Sequence, residues 1–173
     1  MSRTLRLALF GAATLVPALS LPSAAQRLTL SGGVAAPMSD LGDVADLGYV
    51  ISAGLNAGGT DRPIGARVEG SLSGFGLKRT NEDARILSLT GNAVVNLVPG
   101  ASSPYLIGGV GLYNSRFGDG DSNNDLGVNL GGGLRFPLGT LRAFFEARYH
   151  AVLGNRRDRP HLQYVPVTLG IVL

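Results

Sequence analysis

From Leu141 to Leu153 the chain alternates between two chemistries. One parity carries Arg142, Phe144, Glu146, Arg148 and His150; the other carries Leu141, Ala143, Phe145, Ala147, Tyr149, Ala151 and Leu153. Successive side chains of a strand point to opposite faces, so this segment predicts a strand with one charged face and one apolar face. A helical period would put Arg and Leu on the same side and is rejected. Lipid against one face and a polar lumen against the other is the environment that suits such a strand.

Seven more segments share the period and are separated by Gly, Pro, Asn and Asp clusters. They fall at about 27–35, 47–57, 64–75, 85–97, 105–115, 126–138 and 162–173. In the fourth, Leu87, Leu89, Ala93, Val95 and Leu97 oppose Ser88, Thr90, Asn92 and Asn96. In the sixth, Leu126, Val128, Leu130, Leu134 and Phe136 oppose Gly127, Asn129, Gly131, Gly133 and Arg135. The predicted fold is all-β: an eight-stranded antiparallel up-and-down transmembrane barrel. The predicted connections at 36–46, 76–84, 116–125 and 154–161 are longer than those at 58–63, 98–104 and 138–140. Outer-membrane barrels have long extracellular loops and short periplasmic turns, so both termini are expected in the periplasm.

Composition fits this picture. The chain of 173 residues is 45% hydrophobic and 16% charged, yet beyond its first residues it has no apolar run long enough for a membrane helix. Its hydrophobicity is spread over alternate positions instead. Cys is absent, which excludes a disulfide scaffold and a Cys-ligated zinc site. The basic residues are scattered without a stripe, so no nucleic-acid partner is expected. The first 25 residues read as a cleavable signal peptide. Arg3 and Arg6 form a basic start, 7–19 is apolar, and Ser23-Ala24-Ala25 supplies small residues before the cut. The barrel domain is then 26–173.

Parity alone leaves open which face looks inward. A secreted soluble ligand-binding barrel would put the apolar face inside. Against this, Lys78 is the lone lysine, whereas soluble surfaces use Lys freely. The polar face is also rich in Gly, Ser, Thr and Asn, which suit a narrow lumen filled by side chains. Its charges, Arg67, Glu69, Arg135, Arg142, Glu146, Arg148 and His150, form one candidate lumen network. The leading reading is a structural brace of paired charges; the alternative is a gate or narrow ion path.

Other candidates are weaker. His150 is followed two residues later by Val152, so the His-x-Ser pair of lipid A deacylases is missing, and no catalytic set is assigned. The run Asp119-Gly120-Asp121-Ser122-Asn123-Asn124-Asp125 resembles a calcium loop but has Asn124 at the glycine position and Leu130 where the closing Glu belongs. No metal and no cofactor are expected. Arg156, Arg157 and Arg159 lie in the last long loop and are candidates for contact with lipopolysaccharide phosphates.

Three segments carry a family resemblance: 104–113 (PYLIGGVGLY), 146–150 (EARYH) and 164–171 (YVPVTLGI). In this order the mature chain resembles the small outer-membrane beta-barrel family of the OmpA/OmpX/OmpW type. The resemblance implies a Gram-negative-type outer membrane and insertion by the barrel assembly machinery, which reads the last strand; here that strand ends in Leu173, not an aromatic residue. The expected protein is a monomer without enzymatic activity, structural or surface-interacting, with lipid and lipopolysaccharide as its surroundings. The runner-up is a passage for small hydrophobic molecules.

Overall fold

A computed structural model describes residues 26–58, 62–78, 82–98, 100, 102–118, 120, 122–154 and 162–173. The proposed signal segment, the Arg156, Arg157 and Arg159 run, and Asp119 and Asp121 of the calcium-like loop lie outside the described residues. Eight strands are present: β1 (Gln26–Met38), β2 (Gly48–Ala57), β3 (Ile64–Gly76), β4 (Asp83–Asn96), β5 (Ser103–Phe117), β6 (Asn123–Leu138), β7 (Leu141–Leu153) and β8 (Gln163–Val172). Each pairs antiparallel with the next, and β1 pairs with β8, closing the barrel. Closure leaves no unpaired edge, which a sheet in hydrocarbon requires.

The faces follow the alternation. On β4, Leu87 and Leu89 are more than half exposed, while the alternating Ser88 and Thr90 are buried. The same holds around the barrel, so the outer wall is a continuous belt of exposed Leu, Val, Ile, Phe and Tyr. Soluble monomers rarely expose apolar patches beyond a few hundred Å². The path from Leu87 to Leu97, at about 3.4 Å per residue and a tilt of about 40°, is about 26 Å tall, the height of a lipid-facing band.

Two expectations change. The strands run further than the alternation alone indicated, so connections 77–82 and 118–122 are no longer than turns 58–63 and 97–102. The loop asymmetry survives in 39–47 and 154–162 at one end and the two-residue turn 139–140, with Gly139 at φ 60°, at the other. The extra strand length comes from polar residues whose ladder bonds outweigh their loop-like composition. Asn123, Asn124 and Asp125 join β6, and Asn124 accepts a 2.8 Å hydrogen bond from Asn114 across the sheet.

The second change is in the first connection, which contains a short helix, α1 (Ser39–Val44). The helix packs against β1 and β8 and buries Leu41 over the mouth of the lumen. Ser39 Oγ donates to Gln163 Oε1 (2.6 Å), Lys78 Nζ donates to the Gly42 carbonyl (2.6 Å), and Ala45 bridges Leu77. Six residues with a charged, glycine-containing sequence cannot hold a helix by propensity; these tertiary ties do.

Candidate functional site

The inward face of the barrel is divided into three layers along its axis. The middle layer is ionic. Arg67 and Glu69 come from one strand, β3, and Glu146 and Arg148 from another, β7. Their i, i+2 spacing puts each pair on the same inward face, and the curvature of a small barrel brings the two strands' side chains together across the lumen. Arg67 Nη1 donates to Glu146 Oε2 (2.9 Å) and to Glu69 Oε2 (3.4 Å). Arg148 Nε donates to Glu146 Oε1 (2.8 Å), and Arg148 Nη2 donates to Glu69 Oε1. The four groups form a closed ring in which every cation touches both anions. All are buried and the ring's formal charge is zero.

Neutral groups complete the ring. Tyr105 OH donates to Glu146 Oε2 (2.5 Å), and Arg67 Nε donates to Asn56 Oδ1 (2.8 Å). The Arg67 guanidinium also lies 5.3 Å from the Phe144 ring centroid. The glycines of β6 make room for this packing. A Cβ on Gly133 would stand 2.5 Å from Tyr105 OH, and one on Gly131 would strike the Ala147 carbonyl and the Arg148 Cα. Reciprocal pairing and added hydrogen bonds are what make buried charge tolerable.

Toward the mouth covered by α1, the lumen turns aromatic and then apolar. Tyr113 OH and His150 Nδ1 are hydrogen-bonded at 2.9 Å, and the His150 ring stacks on Tyr164 with centroids 4.9 Å apart. Tyr164 meets Phe75 edge to face at 5.7 Å. Above these, Val50, Ile86, Val152 and Leu162 pack under Leu41. The polar parity expected of the lumen is interrupted at this end by inward apolar residues such as Ile86 and Val152, while the lipid-facing parity on the other side continues unchanged. A cavity of about 10 Å³ between this layer and the ring is lined by Ser71, Ser73, Arg148, His150 and Tyr164, room for about one water.

Toward the opposite mouth stand the remaining arginines. Arg135 Nη1 donates to Asn96 Oδ1 (2.5 Å), and its guanidinium lies 4.1 Å from the Tyr105 centroid. Arg135 and Arg142 line a shallow cavity of about 30 Å³ with Arg27, Asn56 and Asn96. The seven residues expected to form one network are therefore separated: four make the ring, His150 joins the aromatic layer, and Arg135 and Arg142 stand at the mouth. Tyr105, Tyr113 and Tyr164 are buried on the inward face as well, and the sequence reading assigned them no role. For two of them the signal was a glycine on the neighbouring strand: Gly133 pairs with Tyr105, and Gly127 lies under the Tyr113 ring.

Comparison with known proteins places this geometry. A model of the outer membrane protein beta-barrel domain matches residues 8–159. Among curated proteins, none matches the sequence. Among solved structures, Neisserial surface protein A superposes with a TM-score of 0.69 at 13% identity, covering 86% of this chain and 96% of the other. Ail, the attachment invasion locus protein of Yersinia pestis, gives 0.51 at 15% identity, covering 86% and 99%. The outer membrane enzyme PagL gives 0.51 at 14% identity, covering 86% and 99%. At these identities the likeness is one of fold.

Proposed function

The chain belongs to the outer membrane protein beta-barrel domain family, and on that premise we propose that it is a non-enzymatic, lumen-occluded barrel with a structural or surface-interaction role. The observation that carries the proposal is the combination of an apolar outer wall with a lumen blocked at two levels. The closed ring of Arg67, Glu69, Glu146 and Arg148 blocks the middle, and the Leu41-capped apolar layer blocks one end. Both levels are filled by buried side chains, and this weighs against axial passage of solutes, hydrophobic ones included. The proposed orientation puts α1 and connection 154–162 outside the cell and both termini in the periplasm, because the long connections share that end. A role at that surface is consistent with the names of the surface protein and the attachment protein that share the fold.

An enzymatic role like that of the fold-related PagL finds no support in the described residues. Their one histidine, His150, is buried in the lumen against Tyr113 and Tyr164, away from the lipid-facing wall. A hydrolase acting on membrane lipid needs its base and nucleophile on the outside.

Cell fractionation tests the placement. The full chain is expected in the outer-membrane fraction with a heat-dependent gel mobility shift; recovery from the soluble periplasm would overturn it. Because the chain has no cysteine, single reporters test orientation. Gly76, whose added Cβ would meet open space, is expected to react as Gly76→Cys with an impermeant thiol reagent on intact cells. Val98→Cys, at the other end of the band, is expected to react only after permeabilisation. The reverse pattern would invert the barrel.

A further inference from the structure

On the outer wall, just beyond the apolar band, β4 and β5 place two arginines directly opposite each other. Arg85 and Arg116 are register partners, both exposed and both on the parity of the lipid-facing leucines. Leu87 is the next outward residue below Arg85, and Leu112 lies on the same outward face below Arg116. Like charges at directly opposed positions of an antiparallel pair repel. Neither arginine forms a salt bridge with a described residue. Arg116 is flanked by the Asn114–Asn124 hydrogen bond, which extends the polar strip along the wall.

Arg85 is also one wall of a groove of about 400 Å³. The other wall is Leu47 and Tyr49 of the β2 end, and the floor is the outward face of β3, where Gly74 and Gly76 carry no side chains. The Tyr49 ring covers Gly74, 2.5 Å from where a Cβ would be, while Gly76 is open. The groove is therefore amphipathic: apolar on the β2 side, charged on the β4 side, and continuous below with the lipid-facing band. Asp83 is the acidic member of its lining, one strand repeat further from the band than Arg85.

We propose that Arg85 and Arg116, with the adjoining Leu47–Tyr49 groove, form a binding site for a phosphorylated lipid headgroup, the lipid A phosphates of lipopolysaccharide in the outer leaflet. Paired guanidinium forks match phosphate geometry, and their mutual repulsion is relieved when an anion lies between them. The height fits, since phosphates lie at the edge of the hydrocarbon band where these residues stand. The apolar wall takes the first carbons of an acyl chain. The choice of leaflet rests on the orientation proposed above; the phosphate chemistry does not.

The test uses the full chain refolded in uncharged micelles and titrated with bisphosphorylated lipid A, monophosphorylated lipid A, its phosphate-free form, and inorganic phosphate. Binding is expected to weaken with each phosphate removed and to weaken with salt. R85Q/R116Q is expected to lose at least about tenfold in affinity for the bisphosphorylated lipid. D83N is expected to gain slightly. R62Q, in a turn at the opposite end, is expected to bind like the wild type. A native gel shift shows that each variant is folded. Equal binding of the phosphate-free lipid, an unchanged double variant, an equal loss in R62Q, or saturation by inorganic phosphate at the same concentration would overturn the site. The cysteine-labelling result decides the leaflet separately: a reversed barrel that still binds lipid A through Arg85 and Arg116 would refute the orientation and leave the phosphate site standing.

Discussion

The ionic ring and the apolar cap fill the same lumen a few residues apart along β7, yet they are held by different physics. In the ring, each group is tolerated because of the others: the charges of Arg67 and Arg148 are balanced only while Glu69 and Glu146 are present. In the cap, Phe75, Val152, Leu162 and Leu41 contribute in proportion to the surface each hides. Loss is therefore all-or-none in the ring and graded in the cap. Two blocks of such different character are a more robust closure than one, because acid, which discharges carboxylates, leaves apolar packing intact.

The largest expected effect is in the ring. Glu146→Ala leaves two buried arginines short of a partner and is expected to cost about 4 kcal/mol, read as a lowered urea midpoint for unfolding from lipid vesicles. An unchanged midpoint would mean that water reaches the ring. Next comes the cap: Phe75→Ala is expected to cost about 3 kcal/mol by the same assay. A smaller cost than for an exposed wall residue would show the cap to be loosely packed.

Replacing all four ring charges at once, as Arg67→Met, Glu69→Gln, Glu146→Gln and Arg148→Met, is expected to cost less than Glu146→Ala alone, because no charge is left stranded. A fourfold sum of single costs would show independent pairs instead of one unit. The smallest effect belongs to the mouth. Arg135→Gln removes a hydrogen bond to Asn96 and a ring contact with Tyr105 at a half-exposed site, and about 1 kcal/mol is expected.

Much of the fold was legible because a barrel strand repeats a simple code. The parity of Arg142, Glu146 and Arg148 against Phe145 and Tyr149 is a local property, and closure follows once eight such strands must bury every edge. Helix α1 was not legible: Ser-Asp-Leu-Gly-Asp-Val is a loop by composition, and only its ties to Gln163, Lys78 and Leu77 order it. The extra strand length at Asn123 was hidden for the same reason. In the lumen, the sequence shows which charges point inward but not their height along the tilted strands. Register supplies that, separating Arg135 and Arg142 from the ring and carrying His150 into the aromatic layer. The outer pair Arg85 and Arg116 was likewise invisible until β4 and β5 were aligned.

The central claim is that this barrel crosses the membrane without opening it. Its most direct test is current through a planar bilayer containing the refolded wild-type chain. The account predicts no resolved open-channel steps at either polarity across a wide range of salt, because the ring and the cap each interrupt the water path. Long-lived stepwise conductance of the wild-type barrel would contradict it.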